Sequence, residues 1–173
     1  MTVKGINGVV GFVNLSTGEI RKIQVPDDVY RNFLGGYGLG AWFLYTHIKP
    51  RVDPLGPDNI LGIVSGLLNA SGIPMTGRSM AVGKSPLTGG WGGDSNAGGR
   101  FGPKLLEAGL DAIFVTGVSE RPVYILIDNG DIHIESAADL WGGKTTRETE
   151  DELRRRYKAL KWLVLARPAR GFS

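Results

Sequence analysis

Between residues 83 and 102 the chain reads GKSPLTGGWGGDSNAGGRFG, and eight of these twenty residues are glycine. Glycine costs about 0.5–1 kcal/mol relative to alanine inside a helix or strand. So dense a cluster needs a reason, and one is backbone held close to something large. Lys84, Asp94, Asn96 and Arg100 lie within the run, and Arg78 lies just before it. Glycine-freed amides, short polar side chains and cations together suit a phosphate-bearing ligand. A set of tight turns or bulges between short strands accounts for the same glycines without a ligand.

Two nucleotide motifs are approached and missed. Residues 78–85 nearly spell a P-loop, but the first glycine would have to stand where Arg78 is, and Gly77 is one residue too early. The following Pro86-Leu87-Thr88-Gly89-Gly90 also cannot open the helix whose N-terminus a P-loop turns toward phosphates. Gly36-Tyr37-Gly38-Leu39-Gly40-Ala41 matches a G-x-G-x-x-A dinucleotide fingerprint. It follows a helical pattern where that fingerprint needs a strand, so it is read as a helix-breaking contact loop. His47 and His133 have no ligand-spaced partner and read as surface or helix-face residues. Asp94, Asp111 and Asp128 occupy loop or strand-edge positions, and spacing alone pairs none of them for acid–base work. Trp91 either walls a planar ligand or covers core.

The elements that must position these residues follow from pattern. Residues 9–15 and 20–25 read as a hairpin around Ser16-Thr17-Gly18. Pro26-Asp27-Asp28 opens a helical segment that the insert Gly35-Gly36-Tyr37-Gly38-Leu39-Gly40 divides into two helices. Residues 59–65 and 78–84 are strands, and 100–108 is a helix stopped by Gly109. Residues 111–116 and 123–128 are strands. Asn129-Gly130 turns the latter back into 131–135. Residues 145–157 form a solvated helix with acids preceding bases, and 161–166 a last strand. Strand pairs followed by isolated helices predict an α+β fold without regular βαβ alternation.

A chain of 173 residues with 42% hydrophobic and 21% charged content is of ordinary globular composition, one domain or one plus a piece of another. The net charge of +3 owes much to Arg154, Arg155, Arg156, Arg167 and Arg170. With no basic stripe interleaved with aromatics it does not point to nucleic acid. There is no cysteine, which excludes disulfides and thiolate metal or iron–sulfur sites within this chain. No apolar run reaches 18 residues and the start lacks a signal-peptide core. The expectation is a cytoplasmic protein away from membranes.

Several blocks together resemble one family. Val13-Asn14-Leu15-Ser16-Thr17-Gly18 is similar to the opening of the tungsten-dependent aldehyde ferredoxin oxidoreductases. So are Thr76-Gly77-Arg78, Lys84-Ser85-Pro86-Leu87-Thr88-Gly89 and residues 94–102. Ala108-Gly109-Leu110-Asp111-Ala112-Ile113, Pro122-Val123-Tyr124-Ile125 and Leu140-Trp141-Gly142 continue the resemblance in order. It runs from about residue 8 to residue 166.

That resemblance implies an α+β N-terminal domain of two β-sheets with a pseudo-two-fold relation and flanking helices. Such a domain forms the base beneath a tungsten or molybdenum bis-pyranopterin cofactor. It implies that Arg78 contacts pterin phosphate. The backbone carbonyl of Asn96 is implied to bind a Mg²⁺ bridging the two pterin phosphates and Gly98 to lie against the pterin, with Ala97 also among the cofactor-binding residues. The intact enzymes oxidise aldehydes to carboxylic acids and pass electrons through a [4Fe–4S] cluster to ferredoxin, as homodimers. The cluster ligands, the proton-transfer residues and a second pterin-contacting segment of the family have no counterpart here. After residue 166 the family's turn is replaced by Arg167-Pro168-Ala169-Arg170-Gly171-Phe172-Ser173. Residues 1–166 are therefore expected to be part of a tungstopterin-binding domain, inactive alone, and residues 167–173 an aberrant tail from a frameshift or truncation. A stand-alone binding or scaffold domain without chemistry is the alternative.

Overall fold

The computed structural model describes residues 5–88, 90, 93–157 and 163–166. The expectations for Trp91 and for residues 167–173 concern residues outside that set.

Strands β1 (Val9–Asn14) and β2 (Glu19–Gln24) form the expected hairpin, with Val9 opposite Gln24 and Asn14 opposite Glu19. Helices α1 (Asp27–Phe33) and α2 (Tyr37–His47) follow. Then come β3 (Ile60–Ser65), β4 (Ser79–Gly83), β5 (Gly93–Ala97), α3 (Phe101–Glu107) and β6 (Ala112–Thr116). Six strands make one mixed sheet in the order β2-β1-β6-β3-β4-β5, in which only the β1/β6 pair is parallel. A second sheet joins β7 (Val123–Asp128) to β8 (Asp131–Ser136) on one side and to β9 (Leu163–Ala166) on the other. Helix α4 (Thr146–Arg156) lies between β8 and β9 in sequence. Two sheets with flanking helices make the fold α+β, as the pattern predicts.

The large sheet is covered on both faces where β1 and β6 cross it. One face sends Val10, Phe12, Val64, Val82 and Phe114 against α1 and α2, with Phe43 stacked on Phe114 at 3.6 Å between ring centres. The other sends Val13, Ile113 and Val115 against Leu105 of α3 and against Ile125, Ile127 and Ile132 of the small sheet. Central β6 is thus buried on both sides, and it reads as a continuous apolar run for that reason. Edge strand β2 is almost wholly exposed and carries Glu19, Arg21 and Lys22, which discourages pairing with other chains.

Local chemistry explains the other joints. Asn129 and Gly130 both take positive φ, +49° and +90°, as a two-residue hairpin turn of the primed kind demands. Thr145 caps α4 reciprocally: its hydroxyl accepts from the Glu148 N–H, and the Glu148 carboxylate accepts from the Thr145 N–H. The Thr145 N–H first, and the Thr145 hydroxyl second, donate to the Glu148 carboxylate and hold it below its ordinary range.

The structure corrects one reading. The glycine fingerprint at residues 36–41 is not a loop: only Gly35 and Gly36 break the helix, and Gly38 and Gly40 lie inside α2. There they permit contact, since a Cβ on Gly40 would sit 2.7 Å from Val82. Within the glycine run at 83–102, residues 93–97 form strand β5. Asp111 stands in the bend just before β6, as its pattern predicts, but it does not face solvent. It is buried and accepts from the Asn7 N–H (2.8 Å), the Gly8 N–H (2.7 Å) and the Tyr30 hydroxyl (2.6 Å). Burial first, and this bond second, push the Tyr30 hydroxyl far above its ordinary pKa.

Candidate phosphate-facing site at the β4–β5 edge

The sequence-derived site residues converge at one end of the β4–β5 pair. Ser79 pairs with Ala97 and Met80 with Asn96, so Arg78, just before β4, meets Gly98, just after β5. The Arg78 guanidinium donates to Asn96 Oδ1. The Asn96 Nδ2 in turn donates to the Tyr37 hydroxyl at 3.1 Å. Arg78, Asn96, Ala97 and Gly98 are all exposed. Among the described residues Arg78 meets a neutral amide and no carboxylate, so its charge is not neutralised.

The backbone beneath Arg78 is firmly tied. Its N–H donates to the Thr76 carbonyl at 2.9 Å. Its carbonyl accepts from the Gly66 N–H at 3.1 Å and from Asn69 Nδ2 at 2.6 Å. Asn69 is buried, also donates to Ser65 Oγ at 2.8 Å, and Ser65 Oγ donates to the Gly102 carbonyl at 3.1 Å. Asn69 therefore links the 66–78 loop, the start of β4 and α3. Its Oδ1 is buried with no partner among the described residues.

Register settles which backbone groups of β5 face outward. The Gly66 N–H bond to the Arg78 carbonyl shows that the Arg78 carbonyl points to the β3 side. Antiparallel pairs alternate, so the backbone groups of Met80 and Val82 also point to β3, and those of Ser79, Ala81 and Gly83 point to β5. On β5 the inward residues are then Gly93, Ser95 and Ala97. The carbonyls and N–H groups of Asp94 and Asn96 point away from the sheet, and β5 is its edge strand. The Asn96 carbonyl is thus available to a hard cation, which takes oxygen ligands of this kind.

The glycines divide by cause. A Cβ on Gly77 would lie 2.3 Å from the Gly99 carbonyl oxygen, and one on Gly102 would lie 2.1 Å from Asn69 Nδ2. Those two are required by the chain's own packing. A Cβ on Gly98 would meet no heavy atom within 4 Å, and its φ lies outside the positive range. Neither packing nor backbone conformation explains that glycine, so the space above it is free for a ligand. An unneutralised guanidinium, an outward carbonyl and open glycine backbone fit a phosphate-bearing group accompanied by a cation.

Other residues singled out from sequence lie elsewhere. Lys84 is at the far end of β4, roughly 20 Å from Arg78 at the usual strand rise, and its ammonium donates to the Val52 carbonyl. His47 stacks on Phe43, and His133 is exposed on β8. Among the described residues no three His, Asp or Glu side chains gather as a metal-binding set, and no helix is long and apolar enough to cross a membrane. Sequence reasoning missed Tyr37 and Asn69. Tyr37 had a signal, being bracketed by Gly36 and Gly38. Asn69 had none.

A family model described as the N-terminal domain of aldehyde ferredoxin oxidoreductase matches residues 10–168. The tungsten-containing aldehyde ferredoxin oxidoreductases of Pyrococcus furiosus and Thermococcus kodakarensis are each 43% identical over 143 residues, covering 83% of this chain and 23% of those proteins. An aliphatic sulfonate oxidoreductase, WOR-like subunit, of Pyrococcus furiosus is 32% identical over 88% of the chain and 26% of that protein. Among solved structures, the active-site complex BamBC of benzoyl coenzyme A reductase, in complex with 1,5-dienoyl-CoA, is 32% identical. It superposes with a TM-score of 0.81 over 89% of this chain and 23% of its own. The chain spans about a quarter of the length of the curated relatives it matches.

Proposed function

The chain belongs to the aldehyde ferredoxin oxidoreductase N-terminal domain family, and we propose on that premise that it holds the phosphate end of a tungsten- or molybdenum-pterin cofactor. The observation that carries this is the exposed Arg78, bonded to Asn96 at the open sheet edge beside Gly98. In this reading residues 1–166 are the cofactor-binding part of an oxidoreductase. Arg78 would donate to phosphate oxygens, the Asn96 carbonyl would offer a ligand to a Mg²⁺ accompanying the phosphates, and Ala97 and Gly98 would line the pterin side of the site. When bound, the metal supplies two-electron exchange with the substrate.

Asn96 then has two jobs on separate atoms. Its side-chain oxygen aims the guanidinium, while its carbonyl, turned to the free edge, faces the cation. Glycine at 98 keeps that surface free of a side chain, and the tied backbone of Arg78 fixes where the fork begins. The whole protein would oxidise an aldehyde to a carboxylic acid in the cytoplasm, passing electrons through a [4Fe–4S] cluster to ferredoxin as a homodimer. The relatives named above differ in substrate while sharing this region. That supports assigning the region to the cofactor rather than to substrate choice.

The test is to produce the full chain in a host that makes the pterin, then measure tungsten, molybdenum and released pterin per chain. The wild type should carry pterin. Arg78→Ala should retain roughly one to two decades less, as expected for a lost hydrogen bond to a charged group worth about 1.5–3 kcal/mol. Wild-type protein free of pterin, or equal pterin in Arg78→Ala, refutes the assignment.

A further inference from the structure

The polarity of the Arg78–Asn96–Tyr37 chain determines the direction in which its last proton points. A guanidinium is donor-only, so the Asn96 oxygen must face Arg78 and the Asn96 NH₂ must face Tyr37. The Tyr37 oxygen therefore accepts from Asn96. Its own O–H must donate elsewhere, and among the described residues it has no acceptor. Tyr37 is 36% exposed, beside the same surface as Arg78.

Its placement is held from behind. Tyr37 is the first residue of α2 and follows Gly36, whose φ is +60° and whose N–H donates to the Ser65 carbonyl at 2.9 Å. A Cβ on Gly36 would lie 3.0 Å from Met80, and one on Gly35 3.0 Å from the Leu67 nitrogen. The glycine pair lets this turn press onto β3 and β4, which delivers the tyrosine to Asn96 two strands across the sheet edge. A phenylalanine here keeps the ring and removes only the hydroxyl bonded to Asn96.

We propose that Tyr37 is a binding residue of the phosphate site: its hydroxyl donates to the anionic oxygen that Arg78 faces, with Asn96 holding both donors at a fixed separation. The proposal rests on the phosphate reading of Arg78 given above. It names a phosphate monoester dianion as the group recognised. A carboxylate offers only one plane of acceptors, whereas a phosphate presents three oxygens to two donors arriving from different elements.

The experiment is an NMR titration of the full chain with phenyl phosphate in the presence of Mg²⁺. In the wild type, the Arg78 Nε–H and the Tyr37 ¹³Cζ resonances should move with one common midpoint. Tyr37→Phe should keep the wild-type urea midpoint and weaken binding about tenfold, the effect of losing one donor to an anion. Arg78→Ala should abolish the saturable shift. If Arg78→Ala loses binding while Tyr37→Phe binds like the wild type and Tyr37 ¹³Cζ stays still, Tyr37 is no ligand and the Arg78 site stands. If the wild-type Arg78 signal does not move, the phosphate site falls and Tyr37 with it.

Discussion

Three glycines of one sequence block should respond differently to the same added methyl group. At Gly98 a Cβ meets nothing within 4 Å and φ is not positive. Alanine there should leave stability unchanged or raise it by up to about 0.4–1 kcal/mol, through reduced freedom of the unfolded chain. At Gly77 the added carbon would press to 2.3 Å from the Gly99 carbonyl oxygen, a backbone atom that cannot swing aside. At Gly102 it would press to 2.1 Å from Asn69 Nδ2, which is itself bonded to the Arg78 carbonyl and Ser65. Overpacking of this kind costs about 1–3 kcal/mol. For a chain of this size that is roughly 2–12 °C in Tm. Urea unfolding of Gly77→Ala, Gly98→Ala and Gly102→Ala, read as midpoint shifts at constant m-value, measures all three. A Gly98→Ala loss above about 1 kcal/mol would show that the fold, not a ligand, requires that glycine. Neutral Gly77→Ala and Gly102→Ala would overturn the close-approach account. Pterin retention then separates the roles further, because Gly98→Val should fold and yet exclude the cofactor.

Asp111→Ala should destabilise the chain by about 2–4 kcal/mol, since it strands the buried Tyr30 hydroxyl and two backbone N–H groups; a urea midpoint within experimental error of wild type would contradict this. Tyr30→Phe should cost less, about 1–2 kcal/mol, because Asp111 keeps its two backbone donors. The depressed Glu148 carboxyl predicts an acid limb: its contribution is present above the unfolded value of about 4.3 and is lost as pH falls through the lower folded value. Following α4 helicity by circular dichroism from pH 6 to pH 2, Glu148→Gln should show a weaker pH dependence than the wild type, and identical curves would count against the capping box.

Most of the architecture was legible because its signals are local. The 9–24 hairpin, the Asn129-Gly130 turn, the acid-to-base gradient of α4 and the apolar run of β6 each follow from nearest-neighbour chemistry. What escaped depends on distant partners. Asp111 became a buried acceptor because Asn7, Gly8 and Tyr30 converge on it from as far as 104 residues away. Gly40 lies inside α2 where the helix meets Val82, a contact no window of sequence contains. At the site, Arg78 and Asn96 were visible as residue types, but their pairing came from the β4–β5 register.

Strand β5 shows why the most informative stretch was also the hardest to read. Gly93-Asp94-Ser95-Asn96-Ala97 contains residues depleted in strands, and propensity argues against it at nearly every position. It is extended because β4 supplies the pairing, and it lies at the edge, where only one side needs a partner. Valine or isoleucine would have made a firmer strand and a clearer signal. On an exposed edge they would also have invited pairing with another chain and put bulk beside the outward Asn96 carbonyl. Small and polar residues leave that carbonyl and the neighbouring guanidinium reachable. The composition that disguised the strand is therefore the same composition that the proposed cofactor, held at this edge, would require.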